Sequence, residues 1–175
     1  LMHTFTKQRP IPLVDEGRNS KPSGKMGEVT VDDSVWTMLA FENGAYGTME
    51  ATRMATGQMV GNRFEVYGEK GGLMFDFMHL NELQYFDMTK DAEHQGWCNI
   101  NVTGPMHPYL EGWWPKGHTL GYEHTFAHLF RDFFVAYAEG KTALPDFADA
   151  LRTQAVLAAI ERSSDTRQWV DVLKK

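Results

Sequence analysis

The sequence predicts an α+β fold, a large and mostly antiparallel sheet with helices packed on one face. Three observations predict it. Apolar residues alternate with period two through much of the first hundred residues, glycine-containing turn signals separate those runs at hairpin spacing, and helical spacing appears only after residue 121. Nothing alternates as strand, helix, strand, so a doubly wound parallel sheet is not expected.

Taken in order, Leu1 to Gln8 reads as a strand already under way, as in a domain cut from a longer chain. Arg9 to Glu28 holds Pro10, Pro12 and Pro22 with three glycines among charged residues, a composition that predicts a mobile loop. Val35 to Glu42 then alternates, and Asn43-Gly44 supplies the pair a two-residue type I′ turn requires. Counting outward from such a turn pairs Met38 with Met49 and Trp36 with Ala51, which predicts a core face of Trp36, Met38, Met49 and Ala51. Leu39, Phe41 and Tyr46 fall on the other face, too apolar to stand free in water, and predict a homo-oligomer through the sheet.

A second hairpin is expected from Phe64 to Phe77 around Glu69-Lys70-Gly71-Gly72, with glycine where positive φ is needed. Further strands are expected at Leu83–Met88, Trp97–Val102 and Gln168–Val172, about seven in all. Tyr122, Phe126, Leu129, Phe130, Phe133 and Tyr137 recur at three and four residues and Gly140 marks the stop, so this helix should lay an aromatic stripe on the sheet. Pro145-Asp146 opens a second helix, with Asp146 as cap and Asp149 in the first turn.

The chain has 175 residues, enough for one domain, 1–175, and a formal net charge of −6 that would repel nucleic acid and anionic lipid. Cys98 is the one cysteine, which excludes an intrachain disulfide and fits a cytoplasmic protein; mid-strand, it is expected to be buried and inert. No apolar run approaches the roughly 20 residues of a membrane span. The glycines at 68–72 join two strands and precede no helix, so they lack the geometry of a dinucleotide-binding turn. His124 and His128 have the spacing of a metal pair but no third ligand, and are expected to serve helix packing.

Two clusters remain as candidate binding residues. Residues 105–123 concentrate His107, Tyr109, Trp113, Trp114 and His118, and flat aromatic faces beside imidazoles suit a sugar ring; a hydrophobic plug at a core edge would have the same composition. Asn62 and Arg63, with Arg53, gather near a glycine-containing bend, as a binding group or as a surface ion-pair set.

Several runs together resemble the C-terminal domain of the glucose-fructose oxidoreductase, inositol dehydrogenase and MocA (Gfo/Idh/MocA) family. They are Asp32-Asp33 before a long strand, the segments 41–47 and 64–72, Asn81-Glu82-Leu83, Gly117 to Phe126, and Pro145 to Ala150. The resemblance implies the substrate-binding and oligomerisation half of an enzyme that transfers hydride between a sugar or polyol hydroxyl and NAD or NADP. It places the Rossmann domain and the catalytic residues upstream, so no catalytic, cofactor-binding or metal-binding residue is assigned in this chain. Asn62, Arg63, His107, Trp114 and His118 are the positions that resemble the family's substrate wall, and the segment Trp114 to His124 looks most like the branch acting on sugars and anhydrosugars. A stand-alone dimerisation or carbohydrate-binding module is the alternative.

Overall fold

The computed structural model describes residues 1–13 and 19–172. Its described strands are β1 (Met2–His3), β2 (Gln8–Pro12), β3 (Pro22–Glu28), β4 (Ser34–Ala40), β5 (Tyr46–Thr52), β6 (Arg63–Gly68), β7 (Gly71–Asp76), β8 (Glu82–Asp87) and β9 (Trp97–Asn101), followed by α1 (Tyr122–Ala138) and α2 (Phe147–Thr166). All pairing is antiparallel, in the orders β1-β4-β5, β2-β3 and β6-β7-β8-β9. The fold class is therefore α+β, antiparallel sheets with helices on one face, with the strands shared among three sheets. The chain forms two compact units, Leu1–Thr56 with Pro145–Lys175, and Gly57–Leu144.

In the first unit Asp33 organises the entry to β4. Its carboxylate accepts the Phe5 and Thr6 amides, both at 2.8 Å, and the Arg9 guanidinium at 2.7 Å, with no side-chain surface left to solvent. This buried anion ties the segment between β1 and β2 to the strand that follows it, which gives the Asp32-Asp33 run a structural purpose. Helix α2 joins the same unit: Met2 donates its amide to Ser164 Oγ at 3.0 Å, and Ala159 and Ile160 are buried. The cap forms as expected, Asp146 Oδ1 accepting from Asp149 N at 2.9 Å while Asp149 Oδ2 accepts from Asp146 N at 3.1 Å.

Five expectations change. The β4–β5 hairpin has Ala40 opposite Tyr46 and Trp36 opposite Glu50, one residue away from the two-residue-turn count. The Gly44 amide bonds to Phe41 O and the Phe41 amide to Ala45 O, both at 2.9 Å, and only Gly44 of the turn has positive φ, 85°. This is a type I turn closed by a glycine bulge, where a type I′ turn would need two positive φ values. The slip moves Val35, Thr37, Leu39, Gly47 and Met49 to the half-buried face and leaves Trp36, Met38 and Tyr46 exposed together, so the core face and the exposed stripe expected from the sequence are both redrawn.

Next, the proline-rich stretch is a two-stranded ladder, β2–β3, on either side of residues 14–18, which lie outside the described residues, as does the mobility expected of them. A two-stranded ladder has only edges, where proline's missing N–H is tolerated. Residues 168–172 form no strand; instead the Gln168 carbonyl accepts the Ser163 hydroxyl at 2.7 Å and the Asp171 carbonyl accepts the Arg162 guanidinium at 3.2 Å. Cys98, on the edge strand β9, is exposed rather than buried.

The second unit is a four-stranded meander. Arg63, Glu65, Met74, Asp76 and Gln84 share one face, Phe64, Val66, Leu73, Phe75, Tyr85 and Ile100 the other. Helix α1 ends as the sequence predicts, at Gly140 with φ 65° and Lys141 donating to Ala136 O at 2.8 Å. Its aromatic stripe is not buried as expected: Tyr122, Phe126, Leu129, Phe130, Phe133 and Tyr137 stay 46% to 78% exposed. The helix makes its side-chain hydrogen bonds to the preceding loop through His124, His128 and Asp132, a polar line down a different side.

Candidate functional site

The loop between β9 and α1, residues 102–121, is pinned at three places. At its base, Thr103 is 1% exposed; Thr103 Oγ1 accepts the Gly117 amide at 3.0 Å and donates its proton to Asn101 Oδ1. At its exit, Asn81 brackets Leu120, accepting the Leu120 amide at 2.8 Å and donating to the Leu120 carbonyl at 2.9 Å. Helix α1 then begins with the Gly121 amide donated to His124 Nδ1 at 3.0 Å.

The tip is held by α1. Tyr109 stacks on His128 with ring centroids 4.4 Å apart and 13° between planes, and its hydroxyl donates to Asp132 Oδ2 at 2.6 Å. Trp113 Nε1 donates to His128 Nε2 at 2.6 Å, and the Trp113 indole lies edge-on to His124 at 4.5 Å. Leu110 is buried beneath this turn. The Tyr109 hydrogen bond holds the Asp132 carboxyl below the usual carboxylate range and, reciprocally, raises the Tyr109 phenol above its ordinary value. Burial, followed by the charge of His124, lowers the His128 imidazole. The two helix histidines thus pack the loop, as the sequence reading expects.

On this rigid support Trp114 is 69% exposed, and its ring lies 6.4 Å from that of His118. His118 Nδ1 lies 2.7 Å from the Pro115 carbonyl, which can only accept, so Nδ1 carries a proton, and in the neutral ring Nε2 is the acceptor. His107 is half-buried in the same loop, its amide donated to Gly104 O at 3.0 Å. Three of the five candidate residues are therefore brought into one loop. Arg63 begins β6 and Asn62 immediately precedes it, its carbonyl accepting the Phe77 amide at 2.9 Å. Arg63 lines a cavity of about 240 Å³ with Glu65, Met74, Asp76, His79 and Gln84, a lining that includes none of the loop residues.

The anchors missed by sequence reasoning are Asn81, Thr103 and Asp132, whereas His128 was read as a packing histidine without its partners. Only Asn81 left a signal, as part of the Asn81-Glu82-Leu83 run.

A family model described as the C-terminal alpha/beta domain of the Gfo/Idh/MocA oxidoreductases matches residues 13–172. The chain belongs to the Gfo/Idh/MocA family. Within that family it is 41% identical over 150 residues to levoglucosan dehydrogenase of Pseudarthrobacter phenanthrenivorans, covering 85% of this chain and 38% of that protein. Among solved structures it is similar to an oxidoreductase domain protein from Kribbella flavida, with a TM-score of 0.88 and 46% identity over 99% of this chain and 43% of that one. It is also similar to levoglucosan dehydrogenase in complex with NADH and L-sorbose, with a TM-score of 0.89 and 36% identity over 100% of this chain and 44% of that one. The chain thus spans less than half the length of these Gfo/Idh/MocA relatives.

Proposed function

We propose that this chain is the substrate-binding and oligomerisation domain of a nicotinamide-dependent dehydrogenase that moves hydride between a carbohydrate or polyol hydroxyl and NAD or NADP. The observation that carries the proposal is the exposed Trp114 beside the oriented His118 on a loop fixed at base, exit and tip. An indole face gives the C–H side of a sugar ring a flat apolar surface, and an unprotonated Nε2 accepts from a ring hydroxyl. His107, on the same loop, Asn62, just before β6, and Arg63, its first residue, would contribute further donors. Likeness to levoglucosan dehydrogenase, over 85% to 100% of the chain, supports an anhydrosugar or a related ring sugar as substrate.

The dinucleotide does not fit the residues of this chain by themselves. Gly71 closes a strand-to-strand turn, and no helix N-terminus follows it to receive a pyrophosphate. On this reading the cofactor-binding and proton-transferring groups belong to other residues of a longer polypeptide, and this domain orients the sugar toward them. Exposed Trp36, Met38 and Tyr46 on one face of β4–β5 support a homo-oligomer, and the single cysteine fits the cytoplasmic setting proposed for it.

Purified full-length protein, given NAD+ or NADP+ and a panel of anhydrosugars, aldoses and inositols, is expected to reduce one cofactor with at least one of these ring sugars, at a mass in light scattering of at least two polypeptides. Reduction with none of them, by a folded protein that binds nicotinamide, would overturn the reading.

A further inference from the structure

We propose that His128 is a positioning residue for substrate binding: its neutral imidazole fixes the loop tip through Trp113 and Tyr109, and its protonation releases Trp114. The proposal rests on the preceding reading of that loop as the sugar-facing wall. The indole N–H of Trp113 can only donate, so at 2.6 Å from His128 Nε2 it requires that nitrogen to be unprotonated. A proton there would set two donors against each other, and the bond would be lost.

The same ring is the platform on which Tyr109 stacks. Tyr109 has φ 68°, a left-handed conformation that a residue with a large side chain adopts only when its surroundings impose it. Those surroundings are the His128 ring and the Asp132 carboxylate, one turn apart on α1. Remove the His128 contact, and the turn loses both the stack at Tyr109 and the hydrogen bond at Trp113. Trp114 is the next residue in the chain. The base of the loop is independent of this arrangement, because Thr103 and Asn81 hold Gly117 and Leu120. Protonation is thus expected to loosen the tip while leaving His118 tied at its own end.

The charged and titratable groups facing His128 are His124, Arg131 and Asp132 on its own helix and Tyr109 on the loop. Burial and the first two disfavour the imidazolium, and Asp132 favours it. With the imidazole lowered from its ordinary value of 6.5, the sign follows: the bond is fully present above that value and is lost as pH falls through the lower folded value.

The test compares full-length wild type with His128→Gln, which keeps an acceptor oxygen but cannot titrate, and His128→Phe, which keeps a ring but has no acceptor. The measurements are KM for the sugar and for the nicotinamide cofactor from about pH 7.5 to about pH 5.5, with acrylamide quenching of tryptophan emission over the same range. In wild type, sugar KM is expected to rise severalfold as pH falls, in step with quenching, while cofactor KM stays level. H128Q should flatten both changes, and H128F should show the raised sugar KM at every pH. Identical sugar-KM profiles in wild type and H128Q, in a protein whose sugar KM does respond to Trp114→Ala, would overturn the role of His128 alone. Quenching that follows His128 while sugar KM responds neither to it nor to Trp114→Ala would overturn the loop's substrate role, and this proposal with it.

Discussion

Replacing Gly71 with alanine is expected to disrupt the β6–β9 sheet outright. Gly71 has φ 154°, and a Cβ placed on it would lie 2.0 Å from the Phe86 carbonyl oxygen. The obstacle is backbone, and it belongs to the neighbouring strand with which Gly71 is paired at Asp87. Relief requires moving β8 away from β7 at the point where the Met88 amide also bonds to Lys70 O at 3.0 Å. A clash of this kind belongs with the largest single-residue effects, about 4 kcal/mol or more, which lowers Tm by about 10 °C or prevents soluble expression. Gly68→Ala in the same turn is the matched control: its Cβ would meet nothing closer than Gly71 O at 3.9 Å, and its Tm should fall by about 2–3 °C at most. Thermal melts of the two variants check the pair, and equal shifts would contradict the explanation.

The second large effect is expected at Asp33. Asp33→Asn removes the charge that Arg9 meets and turns an amide donor toward either the guanidinium or the Phe5 and Thr6 amides. One of those buried donors is left without an acceptor, and a Tm loss of about 5–10 °C follows. The same carboxylate makes an acid prediction. The Thr6 amide, with Phe5, Arg9 and Arg53, holds the Asp33 carboxyl below its ordinary value of 3.8. Its contribution is therefore present above that value and is lost as pH falls through the lower folded value. Melting curves of wild type and D33N should converge as pH falls below about 4, and curves that stay parallel would remove the buried anion from the account.

These two residues also show how much the sequence makes legible. The glycine turn at 68–72 was readable because the need for a residue without Cβ is local. The reason for Asp33 was not, since its partners lie 24 to 28 residues away and become visible only once β1 and β4 are paired. At residues 43–44 the position of the hairpin was readable but its register was not. Asn-Gly serves a two-residue type I′ turn as readily as a three-residue turn with a glycine bulge, and the one-residue difference exchanges the faces of β4. Likewise, the prolines of β2 and β3 weigh against a central strand but say nothing against a two-stranded ladder.

The candidate site divides in the same way. Composition alone draws attention to the loop of Trp113, Trp114 and His118, since aromatic residues concentrate there. What makes that loop rigid comes from elsewhere in the chain: Asn81 is 39 residues from Leu120, and His128 is 15 from Trp113. Spacing along one element shows His124 and His128 on neighbouring turns of a helix, but only the folded loop reveals that they face an indole and a phenol.

The central claim is that this domain supplies the sugar-facing wall while the nicotinamide is held by residues outside it. Steady-state kinetics of Trp114→Ala in the full-length protein, with the cofactor dissociation constant measured alongside, tests it most directly. The expected result is a fall in kcat/KM for the sugar on the order of tenfold with cofactor affinity unchanged, the size of a lost aromatic face. Unaltered sugar kinetics, or a loss of cofactor affinity in their place, would contradict it.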